Sequence, residues 1–357
     1  MYQTSLDKNF IRQNDTAKIA TGRVTALWAF SEAALGGILH ALKIPFTGLF
    51  IGGAAVVFIA LIAHLSTNKN AVLKSTLIVI IVKAAVSPYT PVNAFFAVAL
   101  QGFLGYLFFF SKNYFKTKAL ILGIITSFLS GFQKIIILTL LFGVTLWESI
   151  DIFADYVFGQ LGFTGYEGSL FSLSLILIGS YIFLHLAGGI TFGILAAKVP
   201  EWLKEKSKER NIFLESKNDV GNLNDKKKVG RKNRWKRKSV SVVLIFSFLM
   251  IILSYYIPDL DNNIIIKILS MLVRSIFIMV VWTFLISPVL LKYLNKFLKK
   301  RKSKYSGEVE EIILLFPFFK AYLKQIMTEA KNLSGLKKIK FILSNSFYTL
   351  LTSDIKH

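Results

Sequence analysis

Residues 47–87 read TGLFIGGAAVVFIALIAHLSTNKNAVLKSTLIVIIVKAAVS, and they give the clearest indication of the architecture. Two apolar runs, 47–65 and 71–87, flank a polar turn that contains Lys69, and Lys74 follows soon after the turn. An apolar run of about 20 residues is long enough to cross a bilayer as a helix. The stretch therefore predicts two membrane-spanning helices joined on the side where cationic residues collect.

The same pattern continues in both directions along the chain. Every second connecting segment is rich in Lys and Arg, whereas the others, such as 147–168, have few or none. Because cytoplasmic loops collect Lys and Arg, the alternation predicts a multi-pass protein of the plasma membrane with both termini in the cytoplasm. The predicted spans are 24–42, 47–65, 71–87, 92–110, 119–146, 169–197, 240–257 and 264–291.

Composition supports this class and excludes others. The 357 residues are 54% hydrophobic, carry a net charge of +23 and include no cysteine. The missing cysteines exclude disulfides and thiolate metal sites, and we predict no metal and no cofactor. Most of the positive charge lies in segments that should face the cytoplasm beside anionic lipid, so a nucleic-acid partner is not expected.

The predicted fold is an all-α polytopic membrane protein. It consists of a six-helix transmembrane bundle, two further transmembrane helices and cytoplasmic amphipathic helices. We expect the six-span domain at 1–200, a basic cytoplasmic linker at 201–239, two further spans at 240–291 and an amphipathic helical tail at 292–357.

Polar residues within the spans mark a candidate solute site. A charge near the centre of a bilayer costs at least ~2.5–3.5 kcal/mol, so it is usually retained because it faces a cavity or a partner. Depth alone would bring one set of residues to a single outward-facing pocket, where the lysines would favour an anionic group. This predicted substrate-binding set is His40, Lys83, Asn93, Lys134 and Glu148. For Lys83, snorkelling to the membrane surface is the alternative interpretation.

Three further ionisable residues are interpreted as buried and structural: Glu32, His185 and Arg274. Lys134 is too deep to reach water easily and needs a carboxylate or solute partner, and Glu32 is the predicted partner within the chain. A hydrogen-bonded structural role is expected for His185 rather than metal ligation.

Small residues predict close contacts between helices. Ala29, Ala33 and Gly37 are spaced four apart and form a stripe that lets another helix approach, either within the chain or from a partner. Gly188-Gly189 and Gly193 allow similar approach.

The tail has apolar residues at three- and four-residue steps from Val309 to Leu351, which is typical of amphipathic helices. Pro317 should kink or restart the first helix, and Gly335 suits its end. The apolar face would lie either on the membrane surface or on a partner subunit.

The first 200 residues resemble the substrate-binding S component of energy-coupling-factor vitamin transporters. The resemblance rests on six spans, on the stripe at Ala29, Ala33 and Gly37, and on the segment 47–53, TGLFIGG. It implies that the chain captures a vitamin or metal ion from outside and packs on a transmembrane T component coupled to two ATPases. The tail is similar to the coupling helices of a T component, with Ala330-Lys331 where those helices carry an Ala-Arg pair.

Two functions of different classes follow. The first is a membrane subunit that binds a small vitamin-like or cofactor-precursor solute, with energy from a separate ATPase. The second is a scaffold or assembly factor that recruits cytoplasmic proteins or anionic lipid through its basic linker and tail. The chain has no ATP-binding phosphate loop and no hydrolase motif, so we do not expect an enzyme.

Overall fold

Over the residues that the structure, a computed structural model, describes, the chain forms helices joined by short turns. Those residues are 3–36, 46–87, 90–111, 113–161, 172–210 and 264–352. No strand occurs within these ranges, in agreement with the predicted all-α class. The predicted span 240–257 and the residues Gly37 and His40 lie outside them.

Seven helices form the N-terminal part of the described chain. They are α1 (Gln3–Phe30, continued by a π-helical turn Ser31–Leu35), α2 (Thr47–Leu65), α3 (Ala71–Val86), α4 (Val92–Phe109), α5 (Phe115–Phe142), α6 (Thr145–Gln160) and α7 (Leu173–Arg210). Helix α6 falls in the segment predicted as a loop at 147–168. Helix α7 continues beyond residue 200 into the predicted linker.

Four helices form the C-terminal part. They are α8 (Ile264–Val281, continued by a π-helical turn Trp282–Ile286), α9 (Ser287–Lys304), α10 (Ser306–Glu329) and α11 (Gly335–Thr352). The π-helical turn ends two residues before Pro288, whose ring would clash with the preceding turn of a regular α-helix.

Five of the described helical segments are long and apolar enough to cross a bilayer, which is consistent with the predicted all-α membrane protein. They are Thr47–Leu65, Val92–Phe109, Phe115–Phe142, Leu173–Lys206 and Leu269–Lys304. The described part of the predicted span 24–42 falls on α1 and its π-helical turn. The predicted span 71–87 falls on α3, which has only 16 residues. Burial separates the five: 56% of the most apolar window of α2 is buried, against 11% for Leu269–Lys304. Helix α2 is thus central and α8–α9 is peripheral.

The tail packs on the same chain. Helices α10 and α11 both contact α1, and α10 also contacts α3. Phe319 is fully buried and meets the Phe30 ring edge-on, with 5.6 Å between centroids. Phe316 makes a similar contact with Phe30 at 5.2 Å. The apolar face for which the sequence left two occupants open is therefore covered, at these residues, by helix α1.

Two details of the tail differ from the sequence predictions. Helix α10 continues through Pro317, because the packing of the neighbouring Phe316 and Phe319 on Phe30 holds the helix together on both sides of the proline. Gly335 does not end α10. That helix ends at Glu329, a 3-10 turn follows around the buried Ala330, and Gly335 (φ +55°) begins α11.

Candidate functional site

A row of polar contacts joins α1 and α3. The Lys83 Nζ donates to the Glu32 carboxylate at 2.7 Å, and the two side chains are only 8% and 3% exposed. Further along the same contact, Thr25 donates to Ser75 at 2.8 Å. The pairing of 25 with 75 and of 32 with 83 shows that the two helices run parallel, as the first and third spans of an alternating topology must.

This ion pair corrects two sequence predictions. Lys83 does not snorkel to a surface, because its ammonium is buried against Glu32. Glu32 does not pair with Lys134, since its carboxylate is taken by Lys83. Neutralised in this way, Lys83 contributes little net charge to a solute site. The two lysines belong to different helix pairs, so the structure does not bring them together in one pocket.

The ion pair coincides with a π-helical turn. Residues Ser31–Leu35 form this turn, which contains Glu32, and the Ser87 hydroxyl donates to the carbonyl oxygen of Ala33 at 3.1 Å. A π-helical turn widens the helix by one residue and is frequent at functional sites. Here it places a carboxylate and a carbonyl acceptor toward α3 in neighbouring positions.

A second polar group lies where the start of α2 meets α5 and α7. We call it the aromatic–lysine cluster, and it consists of Phe46, Lys134, Tyr181 and His185. The rings of Tyr181 and His185 are 4.3 Å apart, and Phe46 stacks on Tyr181 at 5.8 Å. The Lys134 Nζ lies 5.6 Å from the centre of the Tyr181 ring. Aromatic faces and an ammonium group thus converge on one place.

Within the cluster, His185 is buried, whereas the Lys134 side chain is exposed at the protein surface. His185 is 1% exposed, and its Nδ1 donates to the Tyr181 carbonyl oxygen at 3.0 Å, since a carbonyl can only accept. Gly131 leaves room for the imidazole: a Cβ at that position would lie 2.8 Å from its Cγ. Lys134 is exposed and forms no ion pair with another described residue.

Phe46 has a left-handed backbone conformation, with φ +60° and ψ +21°. This conformation is unfavourable for a bulky side chain and persists only where surrounding structure imposes it, often at ligand sites. The residue immediately precedes α2, so its ring is held beside the open N-terminus of that helix.

The other predicted site residues that the structure describes are not brought into this cluster. Asn93 and Glu148 are exposed on the first turns of α4 and α6. Asp151 instead accepts hydrogen bonds from the backbone and hydroxyl of Ser174, both at 2.8 Å, and ties α6 to the start of α7.

The Arg274 side chain, on α8, reaches the C-terminal end of α5. There its guanidinium donates to the carbonyl oxygen of Phe142. A cation is favourable there because of the helix dipole. In the stripe of small residues on α1, Ala29 and Ala33 are buried. In the tail, Ala330 is buried and Lys331 is exposed. The described residues contain no group of three or more His, Asp or Glu that could hold a metal ion.

Glycines on both α5 and α7 are required for the contact between these two helices. A Cβ at Gly123 would lie 2.5 Å from the carbonyl oxygen of Gly189, and one at Gly193 would lie 2.8 Å from the Cα of Leu120. The predicted close approach at Gly189 and Gly193 is confirmed.

Phe46 and Tyr181 were missed from the sequence. A signal for Tyr181 existed, because Tyr181 and His185 are four residues apart and lie on one face of a helix. No sequence signal marked Phe46, since its role depends on its backbone conformation.

A recess of about 330 Å³ lies between the α2–α3 turn and the C-terminal end of α4. Its lining includes Lys69, whose Nζ lies 4.7 Å from the centre of the Phe110 ring. The recess is at the opposite end of α3 from Lys83, and is therefore separate from the predicted outward-facing pocket.

Comparison of the chain with family models, curated proteins and solved structures finds no match.

Proposed function

We propose that this protein is the solute-binding membrane subunit of an uptake transporter similar to the energy-coupling-factor systems, energised by a separate ATPase. It would lie in the plasma membrane with both termini in the cytoplasm, as the charge alternation predicts. The observation that carries the proposal is the aromatic–lysine cluster, because it combines stacking surfaces with a lysine that pairs with no described carboxylate.

The chemistry of the cluster favours a small, planar and anionic solute. Half-buried rings of Phe46 and Tyr181 offer faces for stacking, and the Lys134 ammonium offers a charge-assisted hydrogen bond. Lys83 is removed from the proposed site because Glu32 neutralises it. Lys134 is then the residue that selects for negative charge.

The docked tail supports the transporter assignment. In the energy-coupling-factor systems that the sequence resembles, the small-residue face of the S component packs on a T component. Here α1, which carries Ala29 and Ala33, contacts α10 and α11 of the same chain. We propose that this pair of helices acts as a T-like module fused to the solute-binding bundle.

The test is ligand binding by the full-length protein in detergent. A panel of nicotinate, pantothenate, biotin, folate, riboflavin and thiamine is screened by the shift of tryptophan-fluorescence melting, and any hit is titrated by calorimetry. A charge-assisted hydrogen bond contributes about 1.5–3 kcal/mol, so Lys134→Ala should weaken binding about 10- to 100-fold. Lys198→Ala, which removes an exposed lysine from α7, is the matched control and should bind as the wild type does.

Unchanged affinity in Lys134→Ala would place the solute elsewhere. No hit from the panel, in protein that melts cooperatively, would count against a vitamin-like solute. The alternative scaffold function would have to use other surfaces of the tail, because Phe316 and Phe319 already pack on Phe30.

A further inference from the structure

The C-terminal half of α9 is a strongly cationic surface. Seven Lys and Arg residues lie between 292 and 304, and the sequence from 264 to 307 contains no Asp or Glu. The seven are Lys292, Lys296, Lys299, Lys300, Arg301, Lys302 and Lys304. All seven are exposed. Such a density of like charge needs a compensating partner.

Helix geometry gathers five of these lysines on one face. Leu298 is buried, and Leu291, Leu294 and Tyr305 pack partly buried beside it, which defines the inward side of α9. At about 100° per residue, one group of lysines lies within an arc of about 140° on the opposite side. We call this group the lysine stripe: Lys292, Lys296, Lys299, Lys300 and Lys304.

The described part of the chain does not neutralise the stripe. None of its five lysines forms an ion pair with another residue in the described part of the chain. The first carboxylate after the helix, Glu308, is bound to Lys74 at 2.7 Å. Lys304 does have an aromatic neighbour, since its Nζ lies 5.7 Å from the centre of the Tyr305 ring.

The position of the stripe identifies its partner. Helix α9 is the C-terminal half of the long apolar segment Leu269–Lys304. Only 11% of the most apolar window of that segment is buried. Tyr293 and Phe297 are 69% and 51% exposed between the lysines. Aromatic rings and cations at the end of a membrane span are typical of the headgroup layer, where each lysine near an anionic surface adds binding energy.

We infer that the lysine stripe binds the headgroups of anionic phospholipids in the leaflet next to the C-terminal end of α9. A soluble acidic protein or a nucleic acid is less suited, because the stripe is continuous with the apolar helix and shares its face with exposed aromatic rings. This inference does not depend on the proposed transport function.

The test is native mass spectrometry of the full-length protein in detergent containing equal amounts of phosphatidylglycerol and phosphatidylcholine with identical acyl chains. One variant replaces all five lysines of the stripe by glutamine. The matched control loses the same charge at five other exposed positions: Lys18→Gln, Lys198→Gln, Lys320→Gln, Lys324→Gln and Lys337→Gln.

The wild-type protein should retain more phosphatidylglycerol than phosphatidylcholine. The stripe variant should lose at least about 5-fold of that enrichment, the value expected from even one lysine–lipid contact. The control should stay within about 2-fold of the wild type, and monodisperse elution of both variants excludes misfolding. The inference is overturned if the wild type shows no enrichment, if the stripe variant keeps it, or if the control loses it equally.

Discussion

Two pairs of helices, α1 with α3 and α5 with α7, are held together by different kinds of contact. The first pair is joined by side chains, with the Glu32–Lys83 ion pair and the Thr25–Ser75 hydrogen bond buried between the helices. The second pair is joined through backbone, because Gly123 and Gly189 allow the two helices to touch directly. Both kinds of contact are expected in lipid, where the hydrophobic effect does not drive helices together.

The difference decides which lysine would remain available to the proposed solute. Lys83 completes a contact between helices and is neutralised there. Lys134 lies beside a contact that needs no charge, so its ammonium is available to a ligand. The comparison teaches that an intramembrane charge marks a binding site only after its partners within the chain are known.

The largest expected effect is on the buried ion pair. Lys83→Gln leaves the Glu32 carboxylate buried without its partner, which should destabilise the protein by about 3–5 kcal/mol. Tryptophan-fluorescence melting in detergent measures the loss. The double variant Glu32→Gln with Lys83→Gln removes both charges and should recover most of the stability. A double variant as unstable as the single one would show that the charges do not act as a pair.

An intermediate effect is expected where backbones touch. Gly123→Ala adds a Cβ 2.5 Å from the Gly189 carbonyl oxygen, and such overpacking typically costs about 1–3 kcal/mol. Gly179→Ala on α7 is the control, because a Cβ there meets nothing within 4 Å. The control should melt at or slightly above the wild-type temperature, since alanine favours helix over glycine. Equal melting of the two variants would contradict the close approach of α5 and α7.

The smallest effect is expected at the half-exposed ion pair between Lys74 and Glu308, whose side chains are 40% and 41% exposed. An exposed pair contributes only about 0–1 kcal/mol, so Glu308→Gln should change the melting temperature little. The same measurement on Lys83→Gln gives the contrast between an exposed and a buried pair. A loss at Glu308 as large as that at Lys83 would mean that the tail depends on this ion pair and not on Phe319.

Several features of the fold were predictable because they depend only on the order of residues within one segment of the sequence. An apolar run such as 47–65 must become a helix, since a bilayer offers its backbone no other hydrogen-bond partners. The glycines at 189 and 193 predicted a close contact because only a missing side chain permits one. The amphipathic period of the tail likewise predicted α10 and α11.

The candidate site was less predictable because it depends on rotation about helix axes. Depth placed Lys83, Lys134 and Asn93 toward the same side of the membrane, but α3 and α5 are apolar nearly all round. An apolar helix without a polar stripe gives no signal for the face that points inward. Glu32 was therefore assigned to Lys134, and the structure assigns it to Lys83.

The amino-acid sequence alone predicted long apolar helices with basic and lysine-poor connections in alternation, because the length of apolar runs and the position of charges are local properties. Only the tertiary structure decided that Glu32 meets Lys83, that Phe46 and Tyr181 accompany Lys134, and that the tail packs on α1. Those outcomes depend on how helices distant in sequence are turned toward one another, and packing alone fixes that.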